Sequence, residues 1–224
     1  MEIFFPELLD EFISAHFVKK VQERFHFSVE QTVKIQTVAN KMLPTIAEEA
    51  FYVRQAYSPE NKPPDKAYEC VAMSLGGGVD LLQESYVEKG LLLESYIVEV
   101  LASELLLCGY EAYNKNIDAH TIQHVARYHF PGSENELPLE MLPGLLQILT
   151  PKITCNAAFC MQPKKSVVFI SELTQNEAIH CQAICIGCTN KSCPNRMDEN
   201  SLIRKRMTDL PLPYGYTRIF GVVS

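Results

Sequence analysis

Lysine and arginine are scarce in this chain. They number 20 against 27 aspartates and glutamates, which leaves a formal charge of −7. Phosphate contacts need clustered cations, so this balance argues against a general nucleic-acid or anionic-membrane binder. A cationic leader is also missing: the start, Met1-Glu2-Ile3-Phe4-Phe5-Pro6-Glu7, carries an acid and its apolar run stops at Pro6, so no targeting segment is read there. No long apolar run is free of charge either. The nearest, Leu91 to Tyr110, holds Glu94, Glu99 and Glu104, and a carboxylate at mid-membrane costs about 2.5–3.5 kcal/mol. These absences point to an acidic, cytoplasmic protein. Ser/His/Asp, Cys/His and paired-carboxylate arrangements are lacking as well, so spacing names no nucleophile.

Hydrophobic residues make up 47% of the 224 and charged residues 21%. That excludes a disordered or fibrous chain and allows one large domain or a domain with an appendage. Residues 6–25 read as helical. Ser28 followed by Gln31 has the pattern of a capping box opening a second helix, which Pro44 is expected to break or kink. A further helix is expected over about Thr45–Tyr57, a strand over Ala67–Leu75, then Gly76-Gly77-Gly78, a stretch Val79–Lys89 and a long helix from about Leu91 to Ala112. The acids of that long helix are five residues apart, hence about 140° on the wheel, so no single wet face holds all three. The helix reads as central and mostly buried, its acids either at a watered rim or in need of a partner. Asp118 is expected to cap a helix Ala119–Tyr128, and Pro138 to lead into a short helix Leu139–Leu149. Lys152–Cys155 and Ser166–Ser171 read as strands. The expectation is an α+β fold, with helices around a small, mostly antiparallel sheet in residues 1–174 and a Cys-rich metal-binding tail in 175–224.

The strongest chemical signal lies in that tail. Cys181, Cys185, Cys188 and Cys193 sit within a short run ending in Cys-Pro. Thiolates so close in sequence can converge on one ion or cluster. The compact cadence is nearer to an iron–sulfur run than to the paired spacing of zinc sites, but iron–sulfur, zinc and redox thiols all remain open. The spacing Cys181-x3-Cys185-x2-Cys188 is also that of radical-AdoMet enzymes, but too little chain follows for their barrel. Cys155 and Cys160 read as core thiols. The amides of Gly76–Gly78 could face a phosphate or carboxylate, yet no Lys-Ser/Thr follows, and a simple turn is the other reading. His120 and His124, four apart, are a weak metal pair.

At Phe130-Pro131-Gly132, Leu137-Pro138-Leu139-Glu140, Leu145-Leu146 and Met161-Gln162-Pro163-Lys164-Lys165-Ser166-Val167, together with Cys185, Cys188, Cys193 and Arg196, the chain resembles the activation (AdoMet-binding) domain of vitamin B12-dependent methionine synthase, in its stand-alone form. The likeness covers roughly residues 67–196. It implies an accessory reactivation protein that binds S-adenosyl-L-methionine (AdoMet) and docks on a cobalamin-binding methyltransferase, so that oxidised cob(II)alamin is reductively remethylated; cobalamin itself would belong to the partner. Carried over residue by residue, Pro131 and Gly132 match the Pro-Gly whose backbone lies against AdoMet. The family's arginine aligns with Tyr128, and the nearest arginine here, Arg127, is displaced by one. Ser133 stands where the family has an aromatic residue. The acid offered by the long helix aligns near Leu107, with Glu104 and Glu111 each a turn away. The resemblance thus implies Arg127, Pro131, Gly132 and Glu104 as the cofactor-binding set. The alternative is a non-enzymatic metal-binding interaction module that has lost AdoMet.

Overall fold

The computed structural model describes residues 2–59, 66–176, 178, 179, 181 and 184. They form an α+β fold around an antiparallel sheet. The element order is β1 (Glu2–Ile3), α1 (Pro6–Phe12), α2 (Ala15–Arg24), α3 (Thr32–Glu49), β2 (Phe51–Tyr57), β3 (Ala67–Ser74), α4 (Gly77–Glu88), α5 (Leu92–His120), β4 (His124–His129), α6 (Leu142–Leu149), β5 (Thr154–Cys155), β6 (Met161–Gln162) and β7 (Ser166–Thr174). The main sheet has the order β1-β2-β3-β7-β4, with every neighbouring pair antiparallel. β5 and β6 form a separate small hairpin.

Local signals explain the early helices. Pro6 occupies the first turn of α1, where a missing N–H costs nothing. Ser14 Oγ accepts from the Phe17 amide at 3.0 Å and starts α2. The Ser28 amide donates to Gln31 Oε1 at 2.8 Å, one half of the expected box, and a single 3-10 turn then leads into α3.

Pro44 does not end that helix: α3 runs through it to Glu49. A mid-helix proline costs about 3 kcal/mol, but the apolar stripe Ile35, Val38, Ala39, Met42 and Ile46 continues across it into the core. Pro44 and Asn40, whose carbonyl loses its donor, both lie on the exposed side, where water can replace the bond. The expected helix Thr45–Tyr57 is corrected accordingly, because Phe51–Tyr57 is a strand paired with β3 along its whole length. The long helix also outruns its expected end. α5 continues to His120, and the segment read as a helix from Ala119 is its last turn followed by strand β4.

The sheet is covered on both faces. One face carries Val71, Met73, Phe169, Leu173, Val125 and Tyr128 and packs on helices α1 to α5. The other carries Phe51, Cys70, Ala72, Val168 and Ile170 and packs on Leu142, Leu145, Leu146 and Leu149 of α6. α5 is apolar almost all round, as a helix enclosed by its neighbours must be. Among the described residues no helix is long and apolar enough to cross a membrane.

Candidate functional site

β4 brings the first group of candidate residues to the edge of the sheet. The register between β4 and β7 slips between Val125 and Arg127. The extra residue, Ala126, is a β-bulge, a device that re-aims the side chains after it. Arg127 then stands opposite Glu172, and Tyr128 opposite Ser171. Because side chains alternate along a strand, the two neighbours part company. Tyr128, 3% exposed, enters the α5 face, where its hydroxyl donates to Asn114 Oδ1 at 2.5 Å. Arg127 and His129 share the other face with Glu172.

On that face the charges form one chain. Arg127 Nη2 donates to Glu134 Oε1 at 2.8 Å. Glu134 Oε2 lies 2.9 Å from His129 Nδ1, and His129 Nε2 lies 3.3 Å from Glu172 Oε2. Glu172 Oε1 in turn meets Lys66 Nζ at 2.7 Å. Glu134 reaches back because the chain reverses just after β4. The Ser133 amide donates to the Phe130 carbonyl at 3.0 Å, with Pro131 and Gly132 between them and Gly132 at φ +83°, the sequence signature of a type II turn. Glycine is needed there, since an added Cβ would also lie 3.2 Å from Leu139 Cβ. The Gly132 amide is already engaged, donating to the Leu137 carbonyl at 2.8 Å.

Glu104 stands elsewhere. Its carboxylate, 1% exposed on α5, is held on one oxygen by Lys20 at 2.8 Å and on the other by Arg24 at 2.5 Å, both from α2. The sheet separates it from Arg127, so the structure groups Arg127, Pro131 and Gly132 but leaves Glu104 out. The other two acids of α5 are also paired, Glu94 with Lys34 at 2.6 Å and Glu99 with Lys165. Burial opposes ionisation of Glu99, but the Lys165 ammonium, with Gln83 and Ser103, outweighs it and holds the carboxyl below its usual range.

The Gly76-Gly77-Gly78 turn faces a carboxylate of the chain itself. Glu49, at the end of α3, accepts from the Gly78 amide at 2.8 Å, an anion placed at the N-terminus of α4. The segment Met161–Val167 closes over the same helix start. Lys164 donates its amide to Asp80 Oδ2 at 2.7 Å and its ammonium to Glu84 at 2.8 Å. Leu75 donates to the Lys165 carbonyl at 2.9 Å, and Ser166 Oγ lies 2.9 Å from Ser74 Oγ. Asp80 is pushed above the usual carboxylate range, burial outweighing the Lys164 contacts.

Three cysteines of the metal run, Cys185, Cys188 and Cys193, lie outside the described residues. Cys181 is buried against the main core; its amide donates to the Val125 carbonyl at 2.7 Å, and its own carbonyl accepts from Asn114 at 3.0 Å. Among the described residues no group of three or more His, Cys, Asp and Glu side chains is placed to hold a metal ion. His120 and His124 sit on different elements: the first ends α5, bonded to Asn116, and the second opens β4, bonded to Asp118. Cys160 is exposed and Cys155 half-buried, so the expectation of core thiols fails for Cys160. The turn Asn156–Cys160, closed by bonds to Asn156, carries it outward at the tip of the β5–β6 hairpin.

Glu134, His129 and Glu172 were not candidates in the sequence. Only strand pairing and a turn bring them to Arg127, and the one available signal was the acid two residues beyond the Pro-Gly pair. No protein-family model matches the chain, and no curated protein matches it.

Proposed function

We propose that the chain is an accessory reactivation protein, cytoplasmic in location, for a cobalamin-dependent methyltransferase such as methionine synthase. In this reading it holds AdoMet at the edge of the sheet, beside Arg127, Pro131 and Gly132, and presents it to the corrinoid of the partner. The observation that carries the reading is a meeting of two separate segments. β4 runs into Pro131-Gly132 and pairs with β7, which Met161–Val167 opens, and His129 stands opposite Ile170. Two of the segments that carry the resemblance therefore reach the same end of the sheet.

Bound AdoMet would supply an electrophilic methyl group for the partner's corrinoid, reduced beforehand by an external electron donor, with S-adenosylhomocysteine as the leaving product. This chain contributes a half-exposed guanidinium for the ligand carboxylate, a bidentate, charge-assisted contact, and a glycine turn that lets a ligand approach the backbone closely. The test is reductive remethylation of a cob(II)alamin-loaded methyltransferase with AdoMet and an electron donor. Methylcobalamin should form faster when the chain is added, and Arg127→Met should remove the gain. No stimulation by the wild-type chain would refute the reading.

A second reading, a metal-binding interaction module, is favoured by one observation: the Arg127 guanidinium and the Gly132 amide are both already bonded within the chain. Metal analysis of anaerobically prepared protein separates its two forms. Iron with sulfide would mark an electron-transfer cluster, and stoichiometric zinc a structural clasp of the tail.

A further inference from the structure

The Arg127–Glu134 pair is one-toothed. Among the described residues Nη2 makes the only contact, while the Arg127 Nε–H is shielded from solvent and meets no acceptor there. Glu134, by contrast, has a second holder, because His129 takes its other oxygen at 2.9 Å. His129 is itself fixed from the far side by Glu172, which Lys66 anchors. Losing Arg127 therefore does not strand Glu134: its carboxylate remains bonded, in a chain whose remaining members keep their places. The backbone beneath it is set by the Phe130–Ser133 turn and by the Leu137 amide donating to the Glu134 carbonyl at 3.1 Å. Only a side-chain rotation is needed to release the guanidinium.

We propose that Glu134 is a built-in competitor for Arg127, occupying the guanidinium until the carboxylate of an amino-acid-bearing ligand displaces it onto His129. The inference rests on the ligand reading above. An incoming carboxylate that spans Nε and Nη2 makes two parallel bonds where Glu134 makes one, and it satisfies the donor that Glu134 leaves unmet. Glu134 is thus a positioning and specificity residue: a ligand without a carboxylate gains nothing from Arg127.

The test compares calorimetric titrations of AdoMet and of 5′-methylthioadenosine, which lacks the amino-acid arm, into wild type, Glu134→Gln, Glu134→Asp and Arg127→Met. Glu134→Gln should bind AdoMet about tenfold more tightly, one displaced charge-assisted bond no longer opposing it, with methylthioadenosine unchanged. Glu134→Asp keeps the charge but is too short to hold Arg127. It should match Glu134→Gln, whereas a purely electrostatic effect would leave it like wild type. Equal AdoMet affinity in wild type and Glu134→Gln would overturn the inference and leave the functional reading standing. If no variant binds AdoMet, the functional reading falls, and L-methionine, followed through the Arg127 Nε–Hε resonance, decides the inference by itself. A response at lower concentration in Glu134→Gln than in wild type supports it, and identical titrations overturn it.

Discussion

Arg24 donates from Nη1 to Oε2 of Glu104 at 2.5 Å, joining α2 to α5 across eighty residues of chain. With Lys20 on the other oxygen, two partly exposed cations neutralise a carboxylate that is itself shut away from water. A buried carboxylate is stable only when so matched. Glu104→Gln takes the shared anion from two cations at the helix crossing and should cost about 3 kcal/mol, the low end for breaking a buried pair, because both cations can turn toward solvent. Urea unfolding should show a lower midpoint with an unchanged slope.

The glycines should divide sharply. A Cβ on Gly76 would fall 2.3 Å from Glu49 Cβ, at φ +87°, and one on Gly78 would fall 2.2 Å from Thr45 Cγ2. Alanine at either position should destabilise by about 1–3 kcal/mol, since backbone and α3 must both shift. Gly144 is exposed inside α6, and a Cβ added there would meet none of the described residues within 4 Å. Gly144→Ala should stabilise by about 0.5–1 kcal/mol through helix propensity and a less flexible unfolded chain. Thermal melts of the three variants check the order.

Acid should loosen the contact between Met161–Val167 and α5. Although burial opposes ionisation, Lys165 holds the Glu99 carboxyl below its usual range in the folded state. A depressed acid contributes stability that is present above its unfolded value and lost as pH falls through the folded one. Stability measured from pH 6 down should therefore fall less steeply in Glu99→Gln than in wild type. The side chain is half-exposed, so salt should shrink the difference.

Thiol labelling should separate the cysteines. Cys160 is exposed at its hairpin tip, whereas burial pushes the Cys70 thiol up to about 12. Iodoacetamide on native protein should modify Cys160 and reach Cys70 only on unfolding; peptide mass spectrometry reads both.

Strong local signals were legible in the sequence: the Ser28–Gln31 cap, β3 ahead of the glycine turn, the Pro138 entry toward α6, and β7. The long helix with its three acids was legible as a central element, and its need for partners is met at all three. β2 and β4 were misread because short runs such as Phe51–Tyr57 and His124–His129 fit a helical or a strand period equally well, and only pairing with β3 and β7 decides between them. The bulge at Ala126 leaves no sequence signature, yet it fixes which face Arg127 and Tyr128 take. The motif led to Arg127, Pro131 and Gly132. The acids and histidine around Arg127 were hidden because cross-strand neighbours are remote in sequence. Spacing along α5 points to Glu104 but carries no sign that the sheet lies between it and Arg127.

The central claim is that the turn beside Arg127 receives AdoMet, and calorimetric titration of AdoMet into anaerobically purified wild-type chain tests it most directly. Saturable heat at one site per chain, lost in Arg127→Met while the fold is retained, is the expected result. A flat titration of correctly folded wild-type protein would contradict it.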